Sequence, residues 1–220
     1  MPAPLTIRPV CPQDCAGVAR VAYLTGFFGQ SAQVYFPDRA LFGALWAGPY
    51  FHGAGAGCFV AEQAGEVVGY VLGASDHDRY RLALARVVAR QVGRAWPTGA
   101  TLHSLRYLWR AARHPSPHAD WQAYPAHLHL NLLPAARGAG MGRRLLEAHL
   151  SVLGGLGVPG VQLSTTTENV AALGLYRRLG FEVLDTRVTP LWTPWLGHPA
   201  THVLMGRRAP GWDWDPAPRD

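Results

Sequence analysis

A glycine-rich loop between a strand and a helix constrains this chain more than any other feature. Residues 126–133 alternate leucines with two histidines and an asparagine, which is the pattern of a strand with two different faces. Pro134 ends that strand, and the loop at 137–142 follows with the sequence Arg-Gly-Ala-Gly-Met-Gly. Apolar residues then recur at helical spacing to about Leu153. The order predicts a strand–loop–helix unit inside an α/β fold.

A loop of this kind is suited to holding an anion. Gly138, Gly140 and Gly142 have no Cβ, so their backbone is expected to adopt φ > 0 and to approach a ligand closely. The first turn of the following helix leaves N–H groups without internal partners and carries partial positive charge. The sequence therefore predicts a nest for a pyrophosphate, with Arg143 and Arg144 at its rim.

The spacing of the glycines excludes two common nucleotide-binding loops. A dinucleotide-binding loop needs Gly-x-Gly-x-x-Gly, and the loop at 137–142 is one residue shorter, with no acidic residue on a following strand. A Walker loop needs a lysine, and this chain contains none. An ordinary glycine-rich turn from strand to helix is the alternative without a ligand.

Two segments together resemble the signatures of the GNAT superfamily of N-acetyltransferases. Arg137, Gly140 and Gly142 match Arg/Gln-x-x-Gly-x-Gly/Ala, and residues 169–181 match Asn-x-x-Ala-x-x-x-Tyr-x-x-x-Gly-Phe. The two motifs occur in the family's order, separated by a predicted helix and strand. The resemblance is strong over residues 126–185. Over residues 5–75 it extends to the layout of the elements only.

The resemblance implies that acetyl-CoA is the cosubstrate and that the loop holds its pyrophosphate. The end of the strand would pair with the pantetheine arm, and splaying of the strands beside Asn131 and Leu132 would expose N–H groups to the thioester carbonyl. The residues that the resemblance assigns to the cofactor are Leu132, Leu133, Pro134, Arg137, Gly138, Ala139, Gly140, Met141, Gly142, Arg143, Asn169 and Tyr176.

Catalysis needs a proton donor for the leaving thiolate and a base for the attacking amine. By resemblance Tyr176 is the donor, and packing of its ring against the sheet is the alternative. His127 and His129 are candidate bases because imidazole titrates near neutrality. Glu168 and Glu62 are further candidates for the base.

The strand around Asn131 also resembles the acetyltransferase-like domains associated with O-GlcNAc hydrolases. Those domains carry Asp where this chain has Asn131, and an amide cannot act as a base. Two functions are therefore expected from the fold. The first is transfer of acetyl from acetyl-CoA to a primary amine in a ternary complex, without a metal. The second is a catalytically inactive acyl-CoA-binding or protein-interaction module.

We expect an α/β (α+β) fold with a mixed, mostly antiparallel sheet of six or seven strands flanked by helices. Residues 1–208 are predicted to form a single domain, followed by a tail at 209–220. Residues 77–121 are predicted to be a helical insertion, with eight arginines against Asp78 and Asp120. The insertion could be a substrate lid, a homodimer surface, a nucleic-acid patch or a solvated cover. The acceptor amine is expected to bind between this insertion and the 189–202 loop.

Composition limits the remaining possibilities. The chain has 220 residues, 49% of them hydrophobic, and a formal charge of +6 that suits an anionic ligand. Its three cysteines follow no zinc-like spacing, so we expect reduced thiols and no metal. No signal peptide and no apolar run of about 20 residues is visible, so a cytoplasmic protein without a membrane partner is expected. Nucleic-acid binding lacks a recognised motif.

Overall fold

One seven-stranded sheet organises the part of the chain that the computed structural model describes, residues 3–93 and 97–209. Its strands are β1 (Thr6–Pro9), β2 (Phe59–Gln63), β3 (Glu66–Ala74), β4 (Ala126–Leu132), β5 (Gly160–Thr166), β6 (Glu182–Thr189) and β7 (Ala200–Arg208). They lie in the order β1-β2-β3-β4-β5-β7-β6, and every neighbouring pair is antiparallel except β4 and β5. The predicted mixed, mostly antiparallel α/β sheet is confirmed.

Helices cover both faces of this sheet. They are α1 (Cys15–Thr25), α2 (Arg39–Trp46), α3 (His77–Val92), α4 (Gly99–Arg113), α5 (Met141–Gly155), α6 (Val170–Arg178) and α7 (Thr193–Leu196). Side chains cap three of the starts: Asp38 accepts from the Leu41 N–H at 2.9 Å, and Asp76 and Thr98 play the same part for α3 and α4. No helix in the described ranges is long and apolar enough to cross a bilayer.

The apolar core lies in two layers, one on each face of the sheet. One layer packs α1, α2 and the aromatic side chains Tyr35, Phe36 and Phe42 against β3. The other packs α5 against β4 and β5 through Leu145, Leu146 and their neighbours. Leu128 belongs to the second layer, so the predicted division of β4 into a leucine face and a polar face is confirmed.

The structure is more regular than expected near its end. The predicted 189–202 loop contains the short helix α7, and β7 begins at Ala200 and runs to Arg208, longer than the strand expected at 202–206. The two helices of the insertion are present, whereas Trp96, part of the break expected between them, lies outside the described residues. Residues 210–220 also lie outside them, so the division into one domain and a tail stays a prediction.

Candidate active site

The strands β4 and β5 separate shortly after they begin. They pair in parallel at Ala126 with Val161 and at His127 with Gln162, and no further. On its other edge β4 stays paired with β3 as far as Leu132, and β5 stays paired with β7 as far as Thr166. Beyond these two pairs, β4 is hydrogen-bonded to β3 and β5 to β7, and a wedge-shaped opening lies between β4 and β5.

Backbone groups of β4 face this opening. The Leu133 N–H donates to the Val68 carbonyl of β3 at 2.8 Å, and peptide groups alternate in direction along an antiparallel pair. The N–H groups of Leu130 and Leu132 therefore point away from β3, into the opening, whereas that of Asn131 points to β3. Beside Asn131 and Leu132, where splaying was expected, the N–H groups that face the opening are those of Leu130 and Leu132.

The glycine loop lies at the wide end of the opening, where α5 begins. Gly138 and Gly140 have φ of +84° and +70°, and a Cβ built at either would meet nothing within 4 Å. Gly140 is the N-cap of α5 and supplies no side-chain cap, so the first N–H groups of the helix are free for a ligand. The loop is open and has the backbone shape of an anion nest.

Gly142 has a different role from the other two glycines. It is buried, and a Cβ there would lie 3.1 Å from Leu175 Cδ2 and 3.4 Å from Leu132 Cδ1. Its φ is not in the positive range, so the expectation that all three glycines adopt φ > 0 was wrong for Gly142. The missing side chain lets α5 pack closely against α6 and β4.

The two arginines assigned to the cofactor are held differently. Arg137 donates from Nε to the Leu132 carbonyl at 3.0 Å and from Nη2 to the Gly29 carbonyl at 2.9 Å, so it ties the loop to β4 and to the turn after α1. Arg143 is exposed and pairs with Glu147 one turn along α5 at 2.7 Å. Arg137 therefore shapes the loop, and Arg143 adds positive charge beside it.

Tyr176 is buried at 5% exposure beneath the opening. Its ring lies 5.6 Å from that of Phe181. Burial raises the pKa of Tyr176 well above its usual value, so the hydroxyl is protonated at neutral pH. Burial also raises the pKa of Tyr70, and the nearby Tyr176 hydroxyl raises it further. Tyr176 thus keeps its proton at neutral pH and lies near Tyr70, which pairs with Asn131 of β4.

A polar cavity of about 180 Å³ lies on the other side of β4. It contains His129 and Asn131 from β4 together with side chains from distant parts of the chain: Tyr70, Ser164, Thr166, Asn169, Trp192 and His202. Asn131 Nδ2 donates to the Tyr70 hydroxyl at 2.9 Å. The hydroxyl of Thr166 and the indole nitrogen of Trp192 are buried without a partner in the described structure. Both residues line the cavity, and no described protein group uses the hydrogen-bonding capacity of these two atoms.

The two candidate histidine bases occupy different environments. His127 is part of an aromatic cluster, where its Nε2 lies 3.1 Å from the Tyr50 hydroxyl and its ring 4.4 Å from that of Tyr80. Burial, followed by the neighbouring His129, lowers the pKa of His127 to about 3. His127 does not line the cavity.

His129 lines the cavity, and its side chain is exposed there. Neighbouring protein atoms desolvate the imidazole and lower its pKa, and its exposure to solvent limits this shift. Both histidines are therefore neutral at pH 7, and His129 is the one with access to a substrate.

The carboxylate candidates lie outside the cavity. Glu62 accepts from Arg8 Nη2 at 2.6 Å, in a cluster that also contains Asp14 at the edge of the sheet. Glu168 is exposed and does not line the cavity, whereas its neighbour Asn169 does. Asn169 also begins α6, with its N–H donating to the Thr166 carbonyl at 3.1 Å.

Apart from Asn169, the cavity residues outside β4 were not predicted from the sequence. Ser164 and Thr166 lie on the face of β5 opposite the core residues Val161 and Leu163, and His202 lies likewise on β7. Polar residues at alternate positions in an apolar strand were the available signal. The three cysteines are free thiols, and the described residues contain no cluster of three or more metal-binding side chains.

Comparison with known proteins agrees with this geometry. The sequence model of the acetyltransferase (GNAT) domain matches residues 110–183. The crystal structure of SsHAT is 31% identical over 93% of this chain and 98% of that one, with a TM-score of 0.67. This chain belongs to the GNAT superfamily.

Two further comparisons cover different amounts of the chain. Mycothiol acetyltransferase from Pseudarthrobacter chlorophenolicus is 41% identical over 59 residues, which are 27% of this chain and 18% of that protein. The structure of yncA from Salmonella typhimurium with its cofactor acetyl-CoA covers 99% of both chains at 18% identity, with a TM-score of 0.59, and supports the fold alone. The further resemblance to domains associated with O-GlcNAc hydrolases stays a prediction.

Proposed function

We propose that this GNAT protein transfers the acetyl group of acetyl-CoA to a primary amine by direct attack in a ternary complex. The observation that carries the proposal is the opening between β4 and β5, with a free helix start at one end and a polar cavity beside it. A cosubstrate with a diphosphate and a thin arm fits the first part, and an acceptor fits the second.

The residues present fit acetyl-CoA. The uncapped start of α5 and the open space over Gly138 and Gly140 can take the diphosphate, and Arg143 adds charge. The free edge of β4 can pair with the amide groups of the pantetheine arm, as a further strand would. The N–H groups of Leu130 and Leu132 can donate to the thioester oxygen, which becomes negative as the amine attacks.

Two side chains move protons in the proposed reaction. The amine nitrogen bonds to the thioester carbon, the carbon–sulfur bond breaks, and the thiolate takes the proton of Tyr176. His129, neutral at pH 7, takes the proton of the amine directly or through water in the cavity. The proton on His129 then returns to solvent, and Tyr176 is reprotonated. The products are an amide and free coenzyme A.

One observation favours a second function, binding of acyl-CoA without catalysis. Surrounding protein lowers the pKa of His129 and of His127, which makes both weak bases, and Asn131 cannot accept a proton. Release of coenzyme A thiol in the presence of small primary amines tests catalysis, and calorimetry with coenzyme A tests binding. Binding without thiol release for any amine would favour the second function and contradict the first.

A further inference from the structure

Three cavities that share lining residues lie in a row from the site to the helical insertion. The polar cavity shares Trp46 and His129 with a second cavity of about 340 Å³, which we name the apolar channel. The channel shares Leu45, Val88 and Leu108 with an outer groove of about 910 Å³ between α2, α3 and α4. The insertion thus forms a wall of this row of adjoining cavities, the path, which begins at His129.

The lining of this path is apolar and uncharged near the reaction centre. The channel is lined by Leu45, Trp46, Tyr80, Leu84, Val88, Leu108 and His129. Among the residues that the structure describes, the channel and the polar cavity are lined by no Asp, Glu or Arg, and burial lowers the pKa values of the two lining histidines, His129 and His202. Such a lining favours an apolar chain and offers nothing to balance a second positive charge.

Exposed apolar side chains continue along the outer groove. Val88 is 42% exposed, Leu105 is 45% exposed and Val92 is 81% exposed, and all three line the groove. Apolar surface gathered in a concave site is typical of ligand grooves. The acidic residue of the groove, Asp38, is occupied by hydrogen bonds from the Leu41 N–H and the Thr101 hydroxyl.

We propose that the apolar channel binds the tail of the acceptor, which makes the acceptor class primary amines that carry an extended apolar tail and no second positive charge. The inference rests on the proposed function only in naming the ligand an acceptor. The thioester carbonyl would lie at the β4 edge, in the β4–β5 opening, whereas the channel meets the site at the His129 side chain. An amine whose nitrogen lies beside His129 can therefore extend its tail along the channel.

A series of linear amines from propylamine to octylamine, assayed by thiol release with acetyl-CoA, tests the tail. Each methylene that enters the channel is expected to raise kcat/KM roughly threefold until the channel is filled. Spermidine, which has further positive charges, is expected to be no better than propylamine. A kcat/KM independent of tail length, or a preference for spermidine, would overturn the proposal.

Two variants in α3 locate the effect. Leu84→Trp fills the channel and is expected to lower kcat/KM for octylamine about tenfold or more while propylamine changes less than about twofold. Leu82→Trp is the matched control, because Leu82 is 54% exposed on the same helix and lines none of the three cavities. If Leu84→Trp does not fold, Val88→Ser tests the same wall of the channel and is expected to lower kcat/KM for octylamine several-fold.

Two further measurements separate the proposal from its rivals. If Leu84→Trp impairs transfer from octanoyl-CoA to propylamine and leaves transfer from acetyl-CoA to octylamine unchanged, the channel holds an acyl chain and the proposal is wrong. Calorimetry with octylamine and propylamine measures tail binding without catalysis. Tighter octylamine binding that Leu84→Trp abolishes would support the channel even if no amine were acetylated, and that result would count against the proposed function alone. Equal affinities would overturn the channel whether or not transfer occurred.

Discussion

The two halves of the site differ in how the chain builds them. The cofactor half consists of β4, the glycine loop and the start of α5, which follow one another along residues 126–142. The acceptor half combines β4 with side chains from α2, α3, α4, β5, β7 and the segment before α7. A short, continuous segment fixes the shape of the first half, whereas tertiary packing fixes the second.

Replacing Tyr176 by Phe removes the proposed proton donor and keeps the ring. We expect kcat to fall about 10- to 1,000-fold, because the thiolate then leaves without a proton. Affinity for coenzyme A should change little, since the hydroxyl has no part in holding the diphosphate. Steady-state kinetics and calorimetry measure both quantities. Unchanged turnover would remove Tyr176 from the mechanism.

A pair of substitutions at Gly140 tests the cofactor half. Asn and Asp are nearly the same size, and both tolerate the left-handed backbone found there, with φ of +70°. A Cβ meets nothing within 4 Å, so either variant should fold. Gly140→Asp is expected to bind coenzyme A about 100-fold more weakly than Gly140→Asn, because its carboxylate repels the diphosphate. Equal affinities in calorimetry would contradict an anion nest at this loop.

Thr166 tests the acceptor half. Its hydroxyl oxygen is buried with no partner in the described structure, and it lines the polar cavity. Thr166→Val should leave the free energy of unfolding unchanged or slightly higher, because a polar group without a hydrogen bond is removed. The KM for the acceptor should rise about tenfold if the hydroxyl binds it, with no change in coenzyme A affinity. Loss of stability with unchanged KM would give Thr166 a structural role.

The smallest effect concerns His127 and pH. Burial lowers the pKa of His127 to about 3, below an unfolded value of roughly 6.5. The unfolded chain therefore binds the proton first as pH falls, and stability decreases below about pH 6.5. Between pH 7 and 5.5, the free energy of unfolding measured in urea should fall by about 1 kcal/mol less for His127→Gln than for the parent protein. Burial also lowers the pKa values of four other histidines, so the free energy of unfolding of both proteins still decreases as pH falls. These are His77, His129, His149 and His202. An equal loss in both would show that His127 is not buried as described.

The strand, loop and helix of the proposed cofactor half could be predicted from the sequence, for a physical reason. β4 ends at Leu132 just before Pro134, and α5 starts at Met141, so residue order alone indicates a short glycine-rich connection between them. The part that failed depends on neighbours: Gly142 is a glycine because Leu175 and Leu132 lie against it. That contact joins α5 to α6 and β4, and no local pattern contains it.

The acceptor half could not be predicted in the same way. Thr166 lines the same cavity as His129 because β5 lies beside β4, and His202 does so because β7 lies beside β5. Trp192 comes from the segment just before α7. The insertion was predicted as two helices, but its part in the apolar channel depends on how α3 and α4 pack against α2. Helical periodicity identifies such elements, and tertiary packing decides what they enclose.

A different groove offers a rival place for an anion. It measures about 850 Å³, lies between α1, α2 and α3, and contains Arg20, Arg39 and Arg90 but none of the predicted cofactor residues. A diphosphate held there would leave the glycine loop and the β4 edge exposed to solvent. Binding at the loop and binding in this groove thus differ in which backbone amides a ligand covers.

Amide hydrogen exchange with and without acetyl-CoA therefore distinguishes the two locations. If the diphosphate binds at the glycine loop, exchange slows at Leu130, Leu132 and residues 138–143 when the cofactor is added, and it does not change in α1 and α2. Protection confined to the arginine groove, or no protection anywhere in the folded protein at millimolar acetyl-CoA, would contradict binding at the glycine loop.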